Sequence, residues 1–136
     1  MSGYVAAELR RLVMERAAGR CEYCRFPQSL TLLPCEIEHI IAEKHGGETT
    51  ADNLALACFF CNRYKGSDLG SLDPESGALT PLFHPRRHQW EEHFQFAGAQ
   101  VVPRTAEGRV TVRLLRLNDP ARLRERQALL EAGLYP

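Results

Sequence analysis

Cys21-Glu-Tyr-Cys24 and Cys58-Phe-Phe-Cys61 are two cysteine pairs of identical spacing, separated by the 33 residues 25 to 57. Zinc in structural sites takes four soft ligands in a tetrahedron, and one tight CxxC turn presents two thiolates to a single ion. Two such turns pin the start and the end of the segment between them, so one structural zinc on Cys21, Cys24, Cys58 and Cys61 is expected. A redox dithiol would account for one pair and leave the second unexplained. Cys35, the fifth cysteine, sits alone in a strand-like stretch, where a thiol reads as a core residue. An odd cysteine count points away from a secreted disulfide framework and toward metal ligation in a reducing, cytoplasmic setting. The N-terminal stretch agrees, with Glu8, Arg10, Arg11 and Glu15 where the apolar region of an export signal would lie.

Between the knuckles, Cys35 to Ile41 alternates like a strand, a polar loop carries Gly46-Gly47 and Thr49-Thr50, and Leu54 to Ala57 suggests a second strand. Phe59 to Lys65 reads as a short helix stopped by Gly66. Tyr23, Phe59 and Phe60 beside the cysteines read as apolar cover for the metal. Upstream, Val5, Leu9, Leu12 and Val13 recur at helical spacing from Tyr4 to Ala18, with Gly19 as a C-terminal stop. Downstream, residues 66 to 81 are rich in Gly, Ser, Asp and Pro and read as a loop. Further on, 86 to 94 reads as a helix, and 94 to 102 and 109 to 117 as two strands turning at Glu107-Gly108. Asp119-Pro120 then opens a last helix to about Ala132.

A chain of 136 residues is expected to form a single domain, with a motif core at about 20–67 and an extension at about 81–136. Seventeen basic residues balance 17 acidic ones, which argues against a general basic coat while leaving local patches open. The longest uninterrupted apolar stretch, Leu54 to Phe60, is too short to span a bilayer, and no membrane partner is expected.

Glu38-His39 lies inside the segment that the zinc closes, and Asn62 directly follows the last zinc cysteine. A carboxylate with an amide oxygen and waters suits a hard divalent cation such as Mg²⁺ bound together with a phosphate. A neighbouring neutral histidine can deprotonate water near pH 7. Cys21-x2-Cys24, Glu38-His39-Ile40, Gly46-Gly47, Asn53-Leu54, Cys58-x2-Cys61-Asn62 and Lys65-Gly66 together closely resemble the HNH endonuclease family. The resemblance covers about residues 20 to 67. It implies an α+β fold, a ββα-metal (His-Me finger) core with zinc knuckles, preceded by an N-terminal helix and followed by a helix, hairpin and helix. It also implies that His39 is the general base, that Asn53 orients it, and that Glu38 and Asn62 hold the catalytic divalent metal. Glu38 stands where the family usually has Asp, and Asn62 makes this an HNN variant. The implied activity is metal-dependent hydrolysis of DNA phosphodiester bonds, leaving a 5′ phosphate and a 3′ hydroxyl. The alternative is a zinc-stabilised nucleic-acid-binding module that does not cut.

Several basic residues are candidate phosphate contacts. Arg63 and Lys65 share the short helix with Asn62, Arg86 and Arg87 stand near Trp90, and Arg109 and Arg113 belong to an arginine-rich stretch. From 101 to 126 there are seven Arg against three acids, a local excess of four. A solvated face is the competing reading for that stretch. His45 reads as a solvated loop residue, and His84-Pro-Arg-Arg-His88 has HxxxH spacing without partner ligands. A zinc deaminase is excluded, since H-x-E followed by P-C-x-x-C is absent. The expected partner is DNA, duplex or nicked, with RNA left open, and a targeting protein partner fits the lack of a recognition domain.

Overall fold

The computed structural model describes residues 4–136, which divide into two compact units, one ending at Ser67 and the other starting at Asp68. In the first unit, helix α1 (Ala7–Arg16) leads to a small loop hairpin, bridged between Arg20 and Pro27, that carries the first cysteine pair. Strands β1 (Glu36–His39) and β2 (Leu54–Ala57) pair antiparallel, with His39 opposite Leu54 and Glu38 opposite Ala55. Helix α2 (Phe59–Lys65) follows at once, and the Cys58 sulfur caps it by accepting from the Cys61 N–H. This is the expected ββα order with an N-terminal helix.

Strand alternation divides the hairpin into two faces. Ile37 lies on the face where Leu54, Leu56 and the α1 residues Val13 and Ala17 form the apolar core, with Val5 and Met14. Leu9 and Val13 of α1, with Val5 before it and Ala17 at its C-cap, fall at four-residue intervals, which explains both the amphipathic pattern and the docking of α1 on β2. The chain leaves α1 through Ala18 and Gly19, both left-handed at φ 54° and 67°. The opposite face of β1 carries Glu38 toward α2.

The second unit departs from the sequence expectations in four places. Residues 66 to 81 are not a plain loop: β3 (Gly70–Leu72) and β4 (Leu79–Pro81) form a hairpin. Its turn is built by Asp73, whose carboxylate accepts from the N–H groups of Glu75 and Ser76 and from the Ser76 hydroxyl at 2.7 Å. The helix expected over 86 to 94 shrinks to one turn, α3 (Trp90–His93), because Arg86 and Arg87 lie in a turn whose N–H groups donate to His84 Nδ1. The single strand expected over 94 to 102 is a hairpin, β5 (Phe94–Ala97) paired with β6 (Gln100–Pro103) through a turn at left-handed Gly98, and the expected second strand over 109 to 117 is a helix instead.

That helix, α4 (Ala106–Leu114), starts where the Thr105 hydroxyl accepts from the Gly108 N–H. Its buried positions are Gly108, Val110 and Thr111, with Leu115 buried just past its end, a face at helical spacing that is masked in sequence by the alternating Arg109-Val-Thr-Val-Arg113. A Cβ at Gly108 would stand 2.3 Å from the His93 carbonyl oxygen, so the backbone itself packs there. Helix α4 contacts both hairpins of its unit, and α5 (Pro120–Glu131) follows as expected from Asp119-Pro120. Arg126 is buried and donates to the carbonyls of Ala99 at 2.7 Å and Leu117 at 2.5 Å. It works as an internal tie.

Candidate functional site

The four paired cysteines converge. Cys21, Cys24, Cys58 and Cys61 are buried with their sulfurs all within 4.8 Å of one another, and Cys24 and Cys58 are 3.7 Å apart. A zinc tetrahedron with Zn–S bonds of about 2.3 Å sets its sulfurs about 3.8 Å apart, so the cluster has the size of a zinc site. The Cys21 sulfur accepts from the Tyr23 and Cys24 N–H groups, each at 3.4 Å, which shapes the first knuckle as a preformed nest. Burial pushes the Cys21 and Cys61 thiols well up, a cost that a divalent ion reverses by taking thiolates. Glu22 binds the knuckle to the hairpin: its N–H donates to the Leu56 carbonyl at 2.8 Å and its carboxylate accepts from the Leu56 N–H at 2.9 Å. Cys35 is outside this group; it is half-buried against the apolar core, and burial pushes its thiol up to about 12. Among the described residues, no other group of three or more His, Cys, Asp and Glu side chains is positioned for a metal.

Glu38 and His39 point to opposite faces of β1. The Glu38 side chain is only 5% exposed, and both of its oxygens are engaged. Tyr23 donates its hydroxyl to Oε1, and the Lys65 ammonium lies 3.0 Å from Oε2. Burial holds the Glu38 carboxyl above the usual range, while Lys65 and Tyr23 pull it back. Burial likewise keeps the Tyr23 phenol protonated, and therefore a donor. Lys65 also donates to the carbonyls of Ile40 at 2.8 Å and His39 at 3.3 Å. Expected as a phosphate contact, Lys65 is 2% exposed and spent on these bonds. Burying an ammonium requires such a full set of partners.

His39 is half-buried, and its Nε2 lies 2.9 Å from the Thr49 hydroxyl. With the ring proton assigned to Nε2 and donated to Thr49, Nδ1 is left with its lone pair and no protein partner among the described residues. The orienting bond expected from Asn53 therefore comes from Thr49. Asn53 is fully used elsewhere: its Oδ1 accepts from the Ile41 N–H, and its Nδ2 donates to the carbonyls of Ile41 and Glu48. It fastens the loop that brings Thr49 to the ring. Gly47 completes this arrangement, since a Cβ there would fall 1.7 Å from the Ile41 carbonyl oxygen. A hydroxyl within the Gly-Gly loop, ten residues after His39, was the available signal for Thr49, and sequence spacing cannot rank it above Thr50.

Asn62 is half-buried on α2, and its side-chain amide has no partner among the described residues. Arg63 is exposed and lies over the Phe59 ring at 5.8 Å, free to meet a phosphate. His45 is exposed, as expected of a loop residue, with Nε2 3.1 Å from the Ser67 carbonyl oxygen. In the second unit, Arg109 is not a free surface cation, because its guanidinium forks onto the buried Asp73 carboxylate at 2.8 and 2.9 Å. Arg122 and Arg126 are buried on backbone carbonyls, while Arg87 and Arg113 are exposed and Arg86 is half-buried. The arginine excess is thus partly structural.

Residues 21–68 match the family model described as HNH endonuclease. The match and the four-cysteine cluster bear out the resemblance over that segment and agree with a ββα-metal fold. They point to a nuclease or nucleic-acid-binding function. No curated protein and no solved structure matches the chain. No helix among the described residues is long and apolar enough to cross a membrane.

Proposed function

We propose that this protein, through an HNH segment at residues 21–68, is a divalent-metal-dependent endonuclease that hydrolyses DNA phosphodiester bonds. The observation that carries the reading is the His39 ring, anchored through Nε2 to Thr49 with Nδ1 open. A neutral imidazole so fixed accepts the proton of an attacking water at Nδ1 as the oxygen approaches phosphorus in line. Lys65 and Asn53 hold the two ends of the turn that follows His39, which keeps the base still during the transfer. Zinc on the four cysteines fixes the start of α2 and with it Asn62, whose amide oxygen is available to a hard cation. Such a cation, when bound, stabilises the charge that develops on the phosphate and the departing oxygen. Glu38 does not fit as its second ligand in this state, since both oxygens are committed to Tyr23 and Lys65. We assign Glu38 the role of holding Lys65 against the His39 carbonyl. A cytoplasmic location and targeting by a protein partner complete the proposal.

The commitment of Glu38 favours a second reading, a zinc-stabilised module that binds nucleic acid without cutting it. The deciding measurement is cleavage of supercoiled plasmid, linear duplex and single strands with Mg²⁺, Mn²⁺ or EDTA. Metal-dependent nicking by the wild type that disappears in His39→Ala, with zinc content and fold retained, is the expected result. Equal nicking by the two proteins sinks the assignment of His39, and binding without cleavage under every condition selects the second reading.

A further inference from the structure

Beside His39, on the face of the β1–β2 hairpin that carries Ile37, the first unit holds an open cleft of about 540 Å³. Val5, Met14 and Ile37 contribute apolar surface, and Arg10, Gln28, Glu36 and His39 contribute polar groups, so the lining carries one carboxylate as well as one guanidinium. That volume falls in the range of small-ligand sites, and the lining is more polar than apolar, which suits a polar ligand. The polar groups have open valences. Arg10 donates its Nε to the Val5 carbonyl at 3.1 Å, which roots the guanidinium, while its two terminal nitrogens have no partner among the described residues. The Gln28 amide is likewise without a partner among them. A rooted guanidinium fork matches a phosphate. A free amide matches the mixed donor and acceptor edge of a base. The apolar side chains of Met14 and Ile37 take the face of a base that has left its stack out of water.

At about 3.3 Å per strand residue, the cleft wall from His39 back to Cys35 runs for roughly 13 Å, room for a nucleotide beyond the one presented to His39. We propose that this cleft is a subsite for one unstacked nucleotide of the strand being cut. Its base lies between Met14 and Ile37, Gln28 reads the base edge, and Arg10 takes the phosphate. The inference rests on the endonuclease reading and narrows its substrate class to nucleic acid with an unpaired nucleotide next to the scissile bond.

The test uses the full-length, zinc-loaded protein labelled with ¹⁵N and a short single-stranded deoxyoligonucleotide, alone and with one abasic position moved along it. The expected result is amide and side-chain shifts centred on Arg10, Met14 and Gln28. A single abasic position should weaken binding about tenfold, as should the Arg10→Gln, Gln28→Ala double variant, on the scale of one lost base contact. Equal affinity for intact and abasic strands, or shifts confined to other surfaces, overturns the subsite. If the double variant loses zinc or structure, the abasic series decides alone. Cleavage is followed in the same samples. Cutting that is indifferent to every abasic position removes the subsite and leaves the nuclease reading intact. Shifts and abasic dependence as expected, without cutting, show an unstacked nucleotide bound in the cleft, remove the nuclease reading and overturn the placement of that nucleotide beside a scissile bond.

Discussion

His39 and Thr49 show how a single hydrogen bond assigns the two nitrogens of one ring. Thr49→Val keeps the shape of the side chain and removes the oxygen, so Nε2 loses its anchor and the ring is free to turn. Turnover is expected to fall about 10–100-fold, the usual effect of losing a group that orients an active histidine. Thr49→Ser, which restores the oxygen, should recover most of it in the same plasmid assay. Lys65 makes a different point. Lys65→Met leaves the buried Glu38 carboxylate without its cation, and unfolding by denaturant should show a loss of about 3–5 kcal/mol. Adding Glu38→Gln to Lys65→Met should recover part of that loss, because the uncompensated charge has gone. The four cysteines were legible in the sequence from type and spacing, whereas His39 and Asn53 stood out through the resemblance, and the bond to the His39 ring expected of Asn53 is made by Thr49. The partners of Glu38 were not legible, since Tyr23, Glu38 and Lys65 are brought together only by the knuckle, the strand and the helix meeting.

The elements follow local signals where those signals are unambiguous. Helix α2 stops at Gly66 and α5 begins at Pro120 after Asp119, as their sequences indicate, while the cysteine cap of α2 is seen only in the structure. Residues 109 to 117 mislead because alternating Val and Arg imitates a strand, while the Thr105 cap and the burial of Gly108, Thr111 and Leu115 make a helix. The β3–β4 hairpin was hidden for another reason: its strands are three residues each, and its stability comes from a turn carboxylate that α4 holds by Arg109. That pair makes a pH prediction. The Arg109 guanidinium holds the Asp73 carboxyl well below the usual range, with the turn hydrogen bonds assisting. A carboxyl depressed in the folded state adds stability above its unfolded pKa of about 3.9, and loses it as pH falls through the folded value. The stability difference between the wild type and Asp73→Asn should therefore be full at neutral pH and begin to close below about pH 4 in denaturant titrations.

Across the whole molecule, zinc and core have separate shares of the two units. The first unit ties α1, β1, β2 and α2 together partly through the four cysteines, whereas the second has an aromatic core in which Trp90 meets Phe94 and Phe96 at 5.1 and 4.9 Å. Chelation is expected to release about one zinc per chain and to raise hydrogen exchange over residues 20–61. Amides of β5, β6, α4 and α5 should keep their protection. Equal loss of protection in both units would overturn this division. The balance of charge also acquires a meaning at this scale, because Arg109, Arg122 and Arg126 are spent inside the protein and leave fewer cations for a nucleic acid. By itself the sequence determined the four-cysteine cluster and the order of strand, strand and helix, because metal chemistry and backbone periodicity impose short, regular spacings, while the candidate base rested on the family resemblance. Only the tertiary structure decided which group orients His39, which charges are internal ties, and where an open cleft lies. Those outcomes depend on contacts between residues far apart in the chain, and no local spacing encodes them.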